Sequence, residues 1–275
     1  MSATEAPARR PNVFAAAEVC AAVFACLVVF LFLCLPVFAI FERAAETDFF
    51  DTISSSTVTE ALRLSLLTTT ISLTLVVIFG TPVAYILARV PFPGRDIADT
   101  LVDLPIVLPP AVGGLGLLMA FGRRGIFGEW LDDAGIEIAF TTTAVVMAQT
   151  FVASPFFIRA AKAGFEAVPQ NLEDVARTLG SSRSSAFFRV AIPVAAPSLM
   201  AGAVMAWARA LGEFGATIMF AGSFPGRTQT VPLAIYRQLE TGVEAPLALS
   251  AVLVVISFVV LLTFRLLMRR AAFTL

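Results

Sequence analysis

Arg209 and Glu213 stand four residues apart in a stretch otherwise built of apolar and small residues, WARALGEFGATIMFAG. On a helix, that spacing puts a guanidinium and a carboxylate on one face, where they can pair. An ionisable side chain set inside an apolar segment costs at least ~2.5–3.5 kcal/mol on insertion scales and marks a function by default. Two chemistries fit: direct contact of Arg209 with a passing anion, or an ion pair that holds or gates the segment. Thr217, one turn further on, can donate to an oxyanion or bond locally to its own helix.

Other chemistries are excluded by residue type. The chain has no histidine, which removes the usual general base and the commonest transition-metal ligand. It has no G-x-x-x-x-G-K-[ST] phosphate loop, so ATP chemistry must belong to a partner. No carboxylate pair stands at catalytic spacing. We expect no catalytic residue, no metal and no cofactor, and a protein that is not an enzyme by itself. The three cysteines, Cys20, Cys26 and Cys34, share one apolar run and read as small hydrophobes.

The elements that must position these residues are membrane spans. The chain of 275 residues is 58% hydrophobic and 14% charged, against roughly 25% charged in soluble domains. Apolar runs predict six spans, near 19–41, 61–88, 101–121, 138–158, 195–221 and 245–267, within a transmembrane domain over 19–268. Residues 1–18 and 269–275 are tails. Twelve of the 19 basic residues (9, 10, 89, 95, 159, 162, 177, 183, 189, 265, 269, 270) fall on one side of this arrangement. That bias puts both termini in the cytoplasm of an inner (plasma) membrane protein. The net charge of −1 offers nothing to a nucleic acid.

Two spans have unusual composition. The second is rich in Ser and Thr (Ser65, Thr68, Thr69, Thr70, Ser72, Thr74), which favours a face packed on other helices. The third contains Pro105, Pro109 and Pro110, then Gly113, Gly114 and Gly116. Such a stretch is either a broken span lining a path or a Pro-kinked helix packed closely on a neighbour. Pro109 and Gly113 join Arg209, Glu213 and Thr217 as candidates for the path or its gate.

The loop over 163–193 is polar and helical, between two apolar spans. Asn171 is placed to cap a helix, with Asp174 three residues later. Leu172, Val175, Ala176 and Leu179 form an apolar stripe, with Glu173, Asp174, Arg177 and Thr178 elsewhere. Gly180 suits a helix-stopping residue, Ser181 or Ser182 can cap a second helix through Val190, and Pro193 and Pro197 are expected to break the chain before the fifth span. The loop fits either a knob for another protein's groove or an interfacial helix on lipid headgroups.

Asp174-Val-Ala176, three residues, Gly180, nine residues and Val190-Ala-Ile-Pro193 resemble the E-A-A…G…I-x-L-P loop of ABC importer permeases. Asp stands for the first Glu, Val for the first Ala and for the Ile, and Ile for the Leu. The resemblance implies an all-α, six-span permease of the type I importer kind. It implies that Glu173, Asp174, Val175, Ala176, Arg177, Leu179 and Gly180 form the coupling helix that docks into a cytoplasmic ABC ATPase. It also implies a homodimer in the membrane lipid, fed by an extracytoplasmic oxyanion-binding protein. GEFGAT (212–217) followed by PGRTQTVPLAIY (225–236) is similar to the oxyanion branch, most of all to molybdate permeases. The implied cargo is molybdate, with tungstate, or sulfate and thiosulfate, as alternatives. An ion-coupled secondary transporter is a further alternative; beyond Arg209 and Glu213, only Asp103 offers it a buried charge.

Overall fold

Apolar helices of membrane-crossing length dominate the chain, as their composition requires. A computed structural model describes residues 13–46, 49 and 54–272, with side chains from 18 to 266. Five helices are long and apolar enough to cross a membrane: α1 (Val13–Ala45), α2 (Ser56–Arg89), α6 (Thr142–Ala167), α9 (Ile192–Leu211, continuous with the helical turns before it) and α12 (Glu244–Ala272). A further pair, α3 (Arg95–Val107) and α4 (Pro110–Phe121), is apolar enough only when taken together, as a broken span or a re-entrant loop bent by 114° at Leu108–Pro109. The tails at 1–12 and 273–275 lie outside the described residues.

The bend follows from residue type. Pro109 and Pro110 lack donors, and Pro110 opens α4 at its first position, where a missing N–H costs nothing. The third span is therefore broken rather than gently kinked. Shorter helices complete the chain: α5 (Gly128–Asp133), α7 (Gln170–Thr178), α8 (Arg183–Ala186), α10 (Gly215–Ala221) and α11 (Val231–Gln238).

α6 is the central helix and packs most extensively on α9 and α2. Their shared core contains Val76, Leu87, Phe157, Phe165, Ala195 and Ala206. Small residues set the spacing; a Cβ on Gly164 would meet Ser198 at 2.5 Å. Along α2, Ser65, Thr68, Thr69 and Ser72 are buried. Ser72 bonds the Val146 carbonyl at 3.1 Å and Gln149 Oε1 at 3.1 Å, and Gln149 Nε2 bonds Thr69 at 3.4 Å. Ser65 Oγ accepts the Val231 N–H at 2.7 Å, so it starts α11 from a different helix. The hydroxyl face is packed as expected, while Thr70 and Thr74 point out and bond back to their own turns.

Three boundaries differ from the sequence expectation. α6 does not end at Ile158 but runs to Ala167, which puts Arg159 and Lys162 inside the helix. There they meet α3 in an antiparallel ladder: Arg159 with Asp103, Lys162 Nζ with Asp99 at 2.7 Å, and Arg95 with Glu166 at 3.7 Å.

Pro193 and Pro197 do not break the chain. A π-helical turn over Phe187–Ala191 joins α8 to α9, with the Ile192 N–H reaching back five residues to Phe187 O. The wider turn makes room for a proline ring that would otherwise collide with the carbonyl four residues earlier. Finally, the fifth helix stops at Leu211; Gly212–Phe214 is a break, and α10 is a separate short helix.

Candidate functional site

Two groups of candidate residues stand at opposite ends of α9. The first is the loop helix α7. Its first residue is Gln170 and Pro169 precedes it, so Asn171 lies inside the first turn and is not the cap. Its end is as expected. Gly180 has φ +93°, its N–H donates to Arg177 O at 3.0 Å, and the Ser181 N–H donates to Ala176 O at 3.0 Å. This pair of bonds is a Schellman stop, which needs a left-handed residue. Ser182 then accepts the Ser185 N–H and caps α8.

The orientation of α7 is the reverse of an ordinary surface helix. Its apolar residues face out: Leu172 is 41%, Val175 54% and Leu179 82% exposed. Its acidic residue Glu173 faces in. Glu173 Oε1 lies 3.0 Å from Arg89 Nη2, and Tyr85 Oη donates to Glu173 Oε2 at 2.6 Å. Arg89 also donates to the Val168 carbonyl at 2.7 Å, a free acceptor at the end of α6. Tyr85 stacks edge-on to Phe187 and Phe165, at 4.6 and 5.3 Å between centroids. The loop is thus bolted to α2, α6 and the π-turn through Glu173. Asp174 and Arg177 remain exposed and 3.8 Å apart, and Ala176 is half-buried.

Tyr85 and Arg89 were not legible as partners of the loop. The two residues are one turn apart at the end of α2, a weak signal; nothing local links them to Glu173.

The second group surrounds the break after Leu211. Arg209 Nη1 lies 2.6 Å from Glu213 Oε2, so the expected pair forms. It does not form on one helix, because Glu213 lies beyond the end of α9. Its other oxygen accepts the Ala216 N–H at 2.7 Å and caps α10. Glu213 is buried and Arg209 is partly open. One carboxylate therefore ties the end of α9 to the start of α10.

The broken third span meets this break directly. A Cβ on Gly114 would fall 2.5 Å from Ala216 O, and one on Gly215 would fall 2.9 Å from Pro110 Cβ. The two half-helices α4 and α10 are in backbone contact, supported by Leu117, Val145, Val152 and Phe220. Gly113 is buried against Phe151 and Thr217 is wholly buried with its Oγ1 unpartnered, while Pro109 is exposed. Beyond Gly222, Thr228, Gln229 and Thr230 of the PGRTQT tail are buried. That tail is an internal strut, with the Phe224 N–H donating to Thr228 Oγ1 at 3.0 Å.

The loop helix shows an apolar outer face and an inward carboxylate, and two interrupted apolar segments meet at α4 and α10. Residues 80–272 match the family model described as "binding-protein-dependent transport system inner membrane component". The chain belongs to this family. The permease is 44% identical over 234 residues, covering 84% of its own length and 88% of the other's, to the "molybdenum transport system permease protein ModB" of Mycobacterium tuberculosis. It is 34% identical over 248 residues, covering 89% and 90%, to the "sulfate transport system permease protein CysT" of Escherichia coli K12. Among solved structures, it superposes on a chain of a bacterial ABC transporter involved in alginate import with a TM-score of 0.73, at 19% identity and covering 94% and 97% of the two chains. The shared fold is that of ABC importer permeases, and the permease is a multi-pass protein of the inner membrane.

Proposed function

We propose that this chain is the membrane-spanning subunit of an ATP-driven importer of molybdate, with tungstate as a related cargo. The observation that carries the coupling part is the inverted α7, with Leu172, Val175 and Leu179 facing out and Glu173 facing in. A helix resting on headgroups would need no such internal bolt, whereas a helix that transmits force does. Asp174, Val175, Ala176, Arg177, Leu179 and Gly180 make the docking surface for a cytoplasmic ATPase, and Glu173 fixes it to the bundle. The basic end of the bundle then faces the cytoplasm, with both termini there.

The cargo part rests on the higher identity to the molybdenum permease than to the sulfate permease, 44% against 34%. Two copies of the permease form the path between them, fed by an extracytoplasmic binding protein. Each contributes Arg209, Glu213, Pro109 and the α4–α10 contact, with Gly113 and Thr217 packed behind it. The permease supplies no covalent chemistry; ATP is hydrolysed by the partner, whose closure moves the coupling helices.

The test is co-purification with the ATPase subunit, followed by reconstitution in liposomes with the binding protein. Molybdate-loaded binding protein should stimulate ATP hydrolysis and accumulate molybdate inside, and excess sulfate should not compete. Equal stimulation by sulfate would reassign the cargo, and a permease that never co-purifies would end the coupling assignment.

A further inference from the structure

Arg159 lies eight residues inside the end of α6, about 12 Å along the helix at about 1.5 Å per residue. Its side chain is nevertheless 56% exposed. That distance is measured from the helix end; a guanidinium left so open is costly in hydrocarbon, so its surroundings are water or protein. Its Nε and Nη2 both donate to the Asp103 carboxylate in a fork, and Nη1 has no partner among the described residues.

The pair lines a cavity of about 390 Å³ walled by three helices: Ile106 and Val107 from α3, Phe156 and Ala160 from α6, and Met205 from α9. Val107 and Met205 are 79% and 55% exposed, so this wall faces away from the chain's own core. Met205 and Arg209 are four residues apart on α9 and share a face, about 6 Å apart along the axis. Met205 thus lines the Arg159 cavity and shares a helix face with Arg209. Each cation is held by a single carboxylate, Asp103 or Glu213. Among the described residues Arg159 keeps Nη1 free beside its carboxylate, so it can hydrogen-bond an anion without trapping it, and conduction needs sites that bind weakly in sequence.

We infer that Arg159, clamped by Asp103, is a second anion contact of the translocation path, on the cytoplasmic side of Arg209. The inference rests on the importer reading above. It assigns the α3–α6–α9 cavity to the path and makes the fork a positioning device for Arg159.

The test is charge-selective thiol labelling in the intact permease–ATPase complex, with Cys20, Cys26 and Cys34 replaced by alanine. Met205→Cys should react with water-soluble methanethiosulfonates. The readout is the ratio of its rates with the anionic ethylsulfonate and the cationic trimethylammonium reagent, relative to a free thiol. Adding Arg159→Gln strands the Asp103 carboxylate and should lower the anion-to-cation ratio by roughly fourfold, as expected for the loss of one unit charge about 10 Å away in water acting oppositely on the two reagents, and Arg159→Lys should restore it. No reaction at Met205→Cys, while Ile126→Cys, at a position 84% exposed before α5, reacts, would make the cavity a lipid-facing or dry surface and overturn the inference. A ratio unchanged by Arg159→Gln would overturn it as well. Neither readout depends on transport, so failure of the wild-type complex to import molybdate would count against the importer reading alone.

Discussion

Glu173 and Arg89 pair at 3.0 Å with side chains only 10% and 13% exposed, although one belongs to a surface loop helix and the other ends a membrane span. The pair joins the loop helix to a helix of membrane-crossing length. Removing one partner of a desolvated pair costs about 3–5 kcal/mol, because the other charge is stranded. Glu173→Ala should lower the melting temperature of the purified permease and abolish ATP-driven uptake. Glu173→Gln keeps an acceptor for Tyr85 and should be milder in both. A Glu173→Ala variant that melts and transports like wild type would show that the bolt carries no force.

Gly180 sits at φ +93° with nothing within 4 Å of a built Cβ. Any effect of substitution there is conformational rather than steric. Gly180→Val should cost about 1–3 kcal/mol of local strain and uncouple ATP hydrolysis from uptake in an inserted protein. Gly180→Asn, which tolerates the left-handed region, should retain most of the coupling. ATPase and uptake rates measured on the same liposomes decide it.

Gly114 has no such freedom of space, since a Cβ there would meet Ala216 backbone atoms at 2.5 to 2.9 Å. Backbone cannot rotate aside as a side chain can. Gly114→Ala should force α4 and α10 apart, at the roughly 1–3 kcal/mol typical of overpacking, and impair transport. Gly116 has nothing within 4 Å and provides the matched control, with Gly116→Ala neutral.

Arg209→Ala should destabilise more than the double change Arg209→Ala with Glu213→Ala, because the single variant leaves a buried carboxylate with the Ala216 N–H as its remaining partner. Glu213→Gln retains that cap and separates the charge from the capping role. Uptake should be lost in both alanine variants. A double variant that imports molybdate at the wild-type rate would remove both the gating and the anion-contact roles.

Much of this was legible because it depends on periodicity or on residue type alone. The hydroxyl stripe at 65, 68, 69 and 72 has helical spacing, so its burial followed. Gly180 and Ser182 carry turn chemistry that acts within a few residues. The bend at Leu108–Pro109 was signalled by prolines, but its 114° was not, since it is set by what α4 meets on α10. The partners of Glu173 and of Arg159 lie 88 and 56 residues away; charge complementarity across such separations has no local signature. The prolines at 193 and 197 misled for a related reason. A π-turn repairs the hydrogen bonding that a proline removes, and its formation depends on Phe187 packing against Tyr85 and Phe165.

That repair has a mechanical consequence. Because the π-turn splices α8 into α9, the chain from Arg183 to Leu211 is one helix of 29 residues, about 43 Å at about 1.5 Å per residue. It is a rod, with the α7 loop at one end and Arg209 near the other. Over a rod about 43 Å long by the same rise per residue, a tilt of about 5° at the loop swings the tip by about 4 Å. That stroke exceeds the width of a water molecule. In the importer proposed above, a small closure of the ATPase at the loop would be magnified where α4 and α10 touch.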